Sequence, residues 1–124
     1  MKELASKISP AERKVLEVLW QAGEPLPIAA VREGLESSGW DGSTVKTLLR
    51  RLCEKQAVSA EKREGFRPLL TREEYRDWST QELIERVYQG SVLDLVAGLV
   101  RREQLTASDL EELRAIVAGE EGHG

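Results

Sequence analysis

Apolar residues recur along this chain at the spacing of α-helices, and the residues between those stretches predict where each helix starts and stops. Within residues 40–56, Val45, Leu48, Leu49 and Leu52 fall at i, i+3, i+4 and i+7, which gathers them on one face with Cys53 at its border. That face is core. The opposite face carries Ser43, Thr47, Arg50 and Glu54, flanked by Lys46 and Arg51. Asp41 or Ser43 can cap this helix, and Gly42 lets the chain turn sharply into it. Upstream, Ser9-Pro10-Ala11-Glu12 is a capping box with proline at the first helical position. Ala11, Val15, Val18, Leu19 and Ala22 form the buried stripe of the helix that follows, Leu16 and Trp20 widen it, and Gly23 ends it. After Pro25 and Pro27, Ile28, Val31 and Leu35 mark a short second helix that stops at Ser37-Ser38-Gly39. Trp40, just ahead of the third helix, is expected to staple it to the core, and Trp20 to pack in the same structural way.

Beyond Gln56 the helical period gives way to weak alternation. Residues 57–70 read as a short β-hairpin with a turn at Glu64-Gly65 and a charged tip. Three helices followed by a hairpin is the order of a winged helix-turn-helix, whose third helix enters the major groove while the wing lies along the backbone. Three further capping boxes, Thr71-Arg72-Glu73-Glu74, Ser91-Val92-Leu93-Asp94 and Thr106-Ala107-Ser108-Asp109, open three more helices. Their stripes hold Leu83, Ile84, Val87 and Tyr88, then Val92, Leu95, Val96 and Leu99, then Leu110, Leu113, Ile116 and Val117, with Gly90 stopping the first. A bundle of about 50 residues cannot readily bury so much apolar surface against itself. A homodimer is therefore expected, joined through Ile84, Val87, Tyr88, Val92, Leu95, Val96, Leu99, Leu110, Leu113 and Ile116. The expected fold is mainly α, with a winged helix-turn-helix DNA-binding domain over residues 1–70 and a three-helix dimerisation domain over residues 71–124. The tail from Gly119 is expected to fray, with His123 in it and no ligand.

Charge sharpens this division. The chain carries a net −4, but residues 1–70 hold 12 basic against 10 acidic side chains, whereas residues 71–124 hold 6 against 12. Within residues 43–67 the balance is 7 basic against 3 acidic. A helix that presents short hydroxyls near its start and cations one to two turns later suits a major groove, where hydroxyls and arginine reach base edges and flanking cations meet phosphates. The candidate DNA contacts are thus Ser43, Thr44, Lys46, Thr47, Arg50 and Arg51 of the third helix and Lys62, Arg63 and Arg67 of the hairpin. Arg51 lies nearer the core border and serves either as such a contact or as the partner of a carboxylate on an earlier helix. One cysteine and one histidine make neither an internal disulfide nor a metal site, and Cys53 reads as a core filler. No nucleophile and base pair, metal set or phosphate-binding glycine loop can be assembled, so neither an enzyme nor a cofactor is expected. No run approaches the roughly 20 apolar residues of a membrane span, and residues 1–9 lack the apolar stretch of a signal peptide, which points to the cytoplasm. Two functions remain: a sequence-specific repressor, or a winged-helix protein-binding module whose basic face meets an acidic partner.

These residues resemble the penicillinase repressor family, the BlaI/MecI group of bacterial winged-helix repressors. The resemblance rests on Ser9-Pro10-Ala11-Glu12 with Leu19-Trp20, on Trp40, Thr44-Val45-Lys46-Thr47-Leu48-Leu49 and Arg51-Leu52, on Pro68-Leu69, and on Gly90-Ser91, Leu105-Thr106 and Glu111-Glu112-Leu113. It implies a homodimer that reads a dyad operator in double-stranded DNA through its winged helices and is joined by its C-terminal helices. In the best-known branch a membrane-bound sensor of β-lactams leads to proteolysis within the C-terminal domain, and the matching position here is Gly98-Leu99 in place of Asn-Phe. The chain also departs from the family pattern at Asp41, where a hydroxyl residue is usual, and at Ser43, where a basic one is. Its wing is shorter, without the aromatic pair that normally separates glycine from proline, and it has no C-terminal cysteine cluster of the kind the copper-responsive branch carries.

Overall fold

A computed structural model describes residues 2–119, and each periodic segment becomes a helix in it. The protein is mainly helical, with one antiparallel hairpin. The chain divides into two compact units between Thr80 and Gln81.

In the first unit, α1 (Lys2–Ser6) is a short helix that the periodic reading does not anticipate, and the segment buries Ala5 and Ile8. The capping box of α2 (Pro10–Ala22) is complete: Glu12 N–H donates to Ser9 Oγ at 3.1 Å, and Ser9 N–H donates back to Glu12 Oε1 at 2.8 Å. Val15, Leu16 and Leu19 of α2 are buried, whereas Ala22, expected in the stripe, is exposed at the helix end. The short second helix is α3 (Ile28–Gly34), continued by a 3-10 turn over Glu36–Ser38. The third is α4 (Gly42–Glu54), which buries Val45, Leu48, Leu49 and Leu52. Fully burying side chains of this kind stabilises by about 1.5–3 kcal/mol each, so this apolar row fixes which face of α4 remains for solvent. Trp20 and Trp40 both pack half-buried against the core, and Lys14 Nζ lies 5.5 Å above the Trp40 ring.

The hairpin pairs β1 (Val58–Glu61) with β2 (Gly65–Pro68), Val58 opposite Pro68 and Ala60 opposite Phe66. Its turn comprises Lys62, Arg63 and Glu64, one step earlier than the Glu64-Gly65 turn expected from the sequence. The reason is long-range. Leu26 N–H donates to the Phe66 carbonyl at 3.0 Å and Phe66 N–H to the Leu26 carbonyl at 2.7 Å, which adds a bridge to the edge of β2. A Cβ at position 65 would overlap the Leu26 backbone, and φ there is +105°, so Gly65 is required both by this close approach and by its backbone conformation.

Helix α5 (Arg72–Val87) crosses the division between the units, with a reciprocal capping box between Thr71 and Glu74 at its start. Tyr75 and Trp78 of its first half pack against the core of the first unit. The Tyr75 ring lies 5.9 Å from Trp20, whose indole N–H donates to the Leu70 carbonyl at 2.9 Å.

The second unit contains the remainder of α5, α6 (Val92–Arg101) and α7 (Ala107–Val117). Thr106 and Asp109 form a full capping box on α7. Ser91 caps α6 by accepting from Asp94 N–H at 3.1 Å; its own N–H donates to the Tyr88 carbonyl rather than to the Asp94 carboxylate, which makes this box half of the expected one. Ile84 is buried, Tyr88, Leu95, Val96 and Leu99 are half-buried, and Val87, Val92, Leu110, Leu113 and Ile116 are exposed. Among the described residues, every exposed large hydrophobic side chain except Leu69 lies in this unit. Of the tail from Gly119 that is expected to fray, residues 120–124, His123 included, lie outside the described residues. No described helix is long and apolar enough to cross a membrane.

Candidate nucleic-acid interface

The polar face of α4 is set by its cap and its buried row together. Asp41 is the cap: Thr44 N–H donates to its Oδ1 at 2.9 Å, and the Ser43 hydroxyl donates to the same oxygen at 2.8 Å. The Ser43 hydrogen bond first, then that from Thr44 N–H, hold the Asp41 carboxyl below its ordinary value of 3.8. The helix therefore begins with an ionised carboxylate at neutral pH. Ser43 is exposed but its proton is engaged, which leaves its oxygen as an acceptor, and Thr44 is half-buried.

Further along, Lys46, Arg50 and Arg51 are exposed and Thr47 is half-buried. Lys46, Thr47 and Arg50 line an open groove together with Ile28 of α3, Leu49 and Cys53 of α4 and Phe66 of β2. The structure thus brings the middle of the helix and the hairpin onto one concave surface. Burial first, and then the neighbouring Glu54 carboxylate, push the Cys53 thiol up, so it stays protonated at neutral pH. Of the two roles open to Arg51, pairing with a carboxylate on an earlier helix is not seen among the described residues; its side chain faces solvent.

Lys62 and Arg63 are exposed at the hairpin turn. Arg67 is exposed too, but its Nε donates to Glu61 Oε1 at 3.2 Å across the two strands. An exposed pair of this kind contributes about 0–1 kcal/mol, so it yields readily to a phosphate.

Lys55 is one of the seven basic residues counted over 43–67, but it has another role. It does not join the polar face: its Nζ donates to Glu12 Oε1 at 2.6 Å and to the Lys7 carbonyl at 2.7 Å, which ties the end of α4 to the start of α2. The signal was in the spacing, because Lys55 continues the buried row Leu48 and Leu52 by one more turn, and Glu12 precedes the buried Val15 and Leu16 in the same way. Burial alone would raise the Glu12 carboxyl; the Lys55 and Ser9 hydrogen bonds outweigh it and hold the group below its ordinary 4.5.

Comparison with known proteins gives this geometry its context. The sequence pattern of the family described as penicillinase repressor matches residues 8–119. The chain is similar to the penicillinase repressor of Bacillus licheniformis, 27% identical over 115 residues that cover 90% of this chain and 89% of that one. It is also similar to the methicillin resistance regulatory protein MecI of Staphylococcus aureus, 26% identical over 114 residues, with 90% of this chain and 93% of that one covered. The penicillinase repressor of Staphylococcus aureus is 24% identical over 114 residues, 90% of either chain.

Proposed function

Because the chain belongs to the penicillinase repressor family, whose members are transcriptional repressors, we propose that it is a homodimer that reads a dyad operator and represses by occluding a promoter. Residues 1–70 are its DNA-binding half and residues 71–124 its dimerisation half. The observation that carries this reading is the surface on which Lys46, Thr47 and Arg50 of α4 meet the hairpin, with Lys62 and Arg63 at the tip. A helix of this composition in the major groove places Thr47 and Arg50 at base edges, while Lys46, Arg51 and the hairpin cations meet phosphates. Ser43 and Thr44, at the start of the helix, face the same groove, with Ser43 as an acceptor.

Arg50→Ala separates base reading from phosphate contact. A bidentate arginine contact to guanine discriminates by about 1–3 kcal/mol, so this variant should lose preference for the operator along with affinity. Lys46→Ala should weaken operator and random duplex alike and lower the salt slope by about one. Competition titrations over a range of salt check both. Equal losses on the two duplexes in both variants would remove Arg50 from the reading set. Binding to an acidic protein with no preference among duplexes would favour the protein-binding module instead.

Relief of repression by proteolysis, triggered by a membrane sensor protease system, fits the same architecture. A cut at Gly98-Leu99 severs α6, which carries part of the proposed seam, and separated half-site readers bind far more weakly than a joined pair. Gly98 is buried within a regular helix, so a protease needs local opening, which glycine eases by about 0.5–1 kcal/mol relative to alanine. A Cβ at position 98 would meet only the Arg102 guanidinium, at 3.6 Å or beyond, which is ordinary contact. Gly98→Ala should therefore leave the protomer intact and slow cleavage. A weakened dimer in that variant would instead make Gly98 a close-packing point of the seam. Full-length protein persisting in cells while the regulated genes switch on under cell-wall antibiotics would end the proteolytic account.

A further inference from the structure

We propose that Arg32 is a further DNA contact, delivered by α3 to the first turn of α4, where the lack of a side chain at Gly42 leaves its guanidinium room to lie. The inference rests on the DNA-binding reading above. From the sequence, Gly42 reads as a residue that lets the chain turn. In the structure it is the first residue of α4 and is not among the residues with positive φ, so no backbone strain calls for glycine. What lies beside it is the end of the Arg32 side chain: a Cβ there would sit 3.1 Å from Arg32 Cζ and Nε and 3.2 Å from Nη2, tighter than ordinary contact, so the guanidinium would have to shift by a few tenths of an ångström.

The guanidinium held at this point is exposed, and among the described residues no carboxylate lies within ion-pair distance of it. Its fork of N–H donors suits a phosphate. In helix-turn-helix docking the helix before the recognition helix crosses the DNA backbone while the start of the recognition helix enters the groove. A cation on the last turn of α3, laid over the first turn of α4, then stands at the lip of that groove. A cation at the last turn of α3 complements that helix's own carbonyl end as well, but that role does not depend on whether position 42 bears a side chain.

That difference supplies the test. The full-length wild type, Arg32→Ala, Arg32→Lys, Gly42→Ala and the double variant are titrated against a duplex selected from a random pool and against random duplex, over a range of salt, with the Tm of each protein recorded. Arg32→Ala should weaken both duplexes by about tenfold and reduce the salt slope by about one per protomer, with Tm unchanged. Arg32→Lys should recover the slope, because the charge is kept. Gly42→Ala should weaken binding only where Arg32 is present, so the two losses should not add. A wild type that binds while Arg32→Ala keeps its salt slope overturns the role of Arg32 alone, and a lowered Tm with an unchanged slope does the same by marking it as a brace. A wild type that binds no duplex overturns the repressor reading, and the role of Arg32 with it.

Discussion

Ile116→Asp and Leu95→Asp should each yield monomers and cut operator affinity by about 100-fold or more, although neither residue touches DNA in the proposed complex. A single small winged helix makes few contacts, and joining two makes the second half-site engagement effectively intramolecular. In the protomer Ile116 is 51% exposed, so a carboxylate there costs the isolated chain little; in an apolar seam it must be buried without a partner, which is costly. Leu95 is half-buried, and its replacement should weaken the protomer somewhat as well, so Ile116 gives the cleaner reading. Sedimentation and operator titration on the same samples check the prediction. A wild-type monomer at micromolar concentration with full operator affinity would contradict it.

The second large effect is on stability. Lys55→Met removes the ammonium that neutralises Glu12, whose side chain is 2% exposed, and leaves a buried charge with only the Ser9 bond. Breaking a fully buried pair costs about 3–5 kcal/mol. Lys55 itself is 30% exposed, so water screens part of the interaction and about 2–3 kcal/mol is expected. For a unit of this size that is a fall in Tm of roughly 10 °C or more. The pH dependence follows from the depressed folded-state pKa of Glu12. The stability that the pair contributes is fully present above the unfolded value near 4.5, and it is lost as pH falls through the lower folded value. The gap between wild type and Lys55→Met should thus be widest near neutrality and narrow in acid. Melting curves across that range check both size and sign, and equal Tm values at neutral pH would show the pair to be energetically idle.

Local rules made most of the fold legible. Caps and apolar periods act within one or two turns, so Ser9 with Glu12, Asp41, Thr71 with Glu74 and Thr106 with Asp109 mark helix starts before any tertiary contact is known. The winged order of elements follows from the change of period after Gln56. What stayed hidden are contacts between residues far apart in sequence. The Leu26 bridge moves the hairpin turn one step earlier. Lys55, counted among the basic residues of 43–67, is engaged by Glu12, 43 residues away. The space at Gly42 is used by Arg32 of the preceding helix. For the candidate interface, composition pointed to the face of α4 and the hairpin tip, where the structure leaves Lys46, Arg50, Arg51, Lys62 and Arg63 exposed; it counted Lys55 and Arg67, which carboxylates engage, and did not single out Arg32, the contact proposed above. The N-terminal helix α1 was missed because a five-residue segment is too short to show a period.

The central claim, that a symmetric pair of these chains reads a specific DNA sequence, is tested most directly by selecting binding sites for the full-length protein from random duplex DNA and footprinting it on the winners. The account predicts a dyad whose half-sites lie one helical turn, about 34–36 Å, or a multiple of that apart. It also predicts operator affinity about 1,000-fold or more above that for random duplex at physiological salt. A selected pool with no common sequence, or a single half-site protected by a monomer, would contradict it.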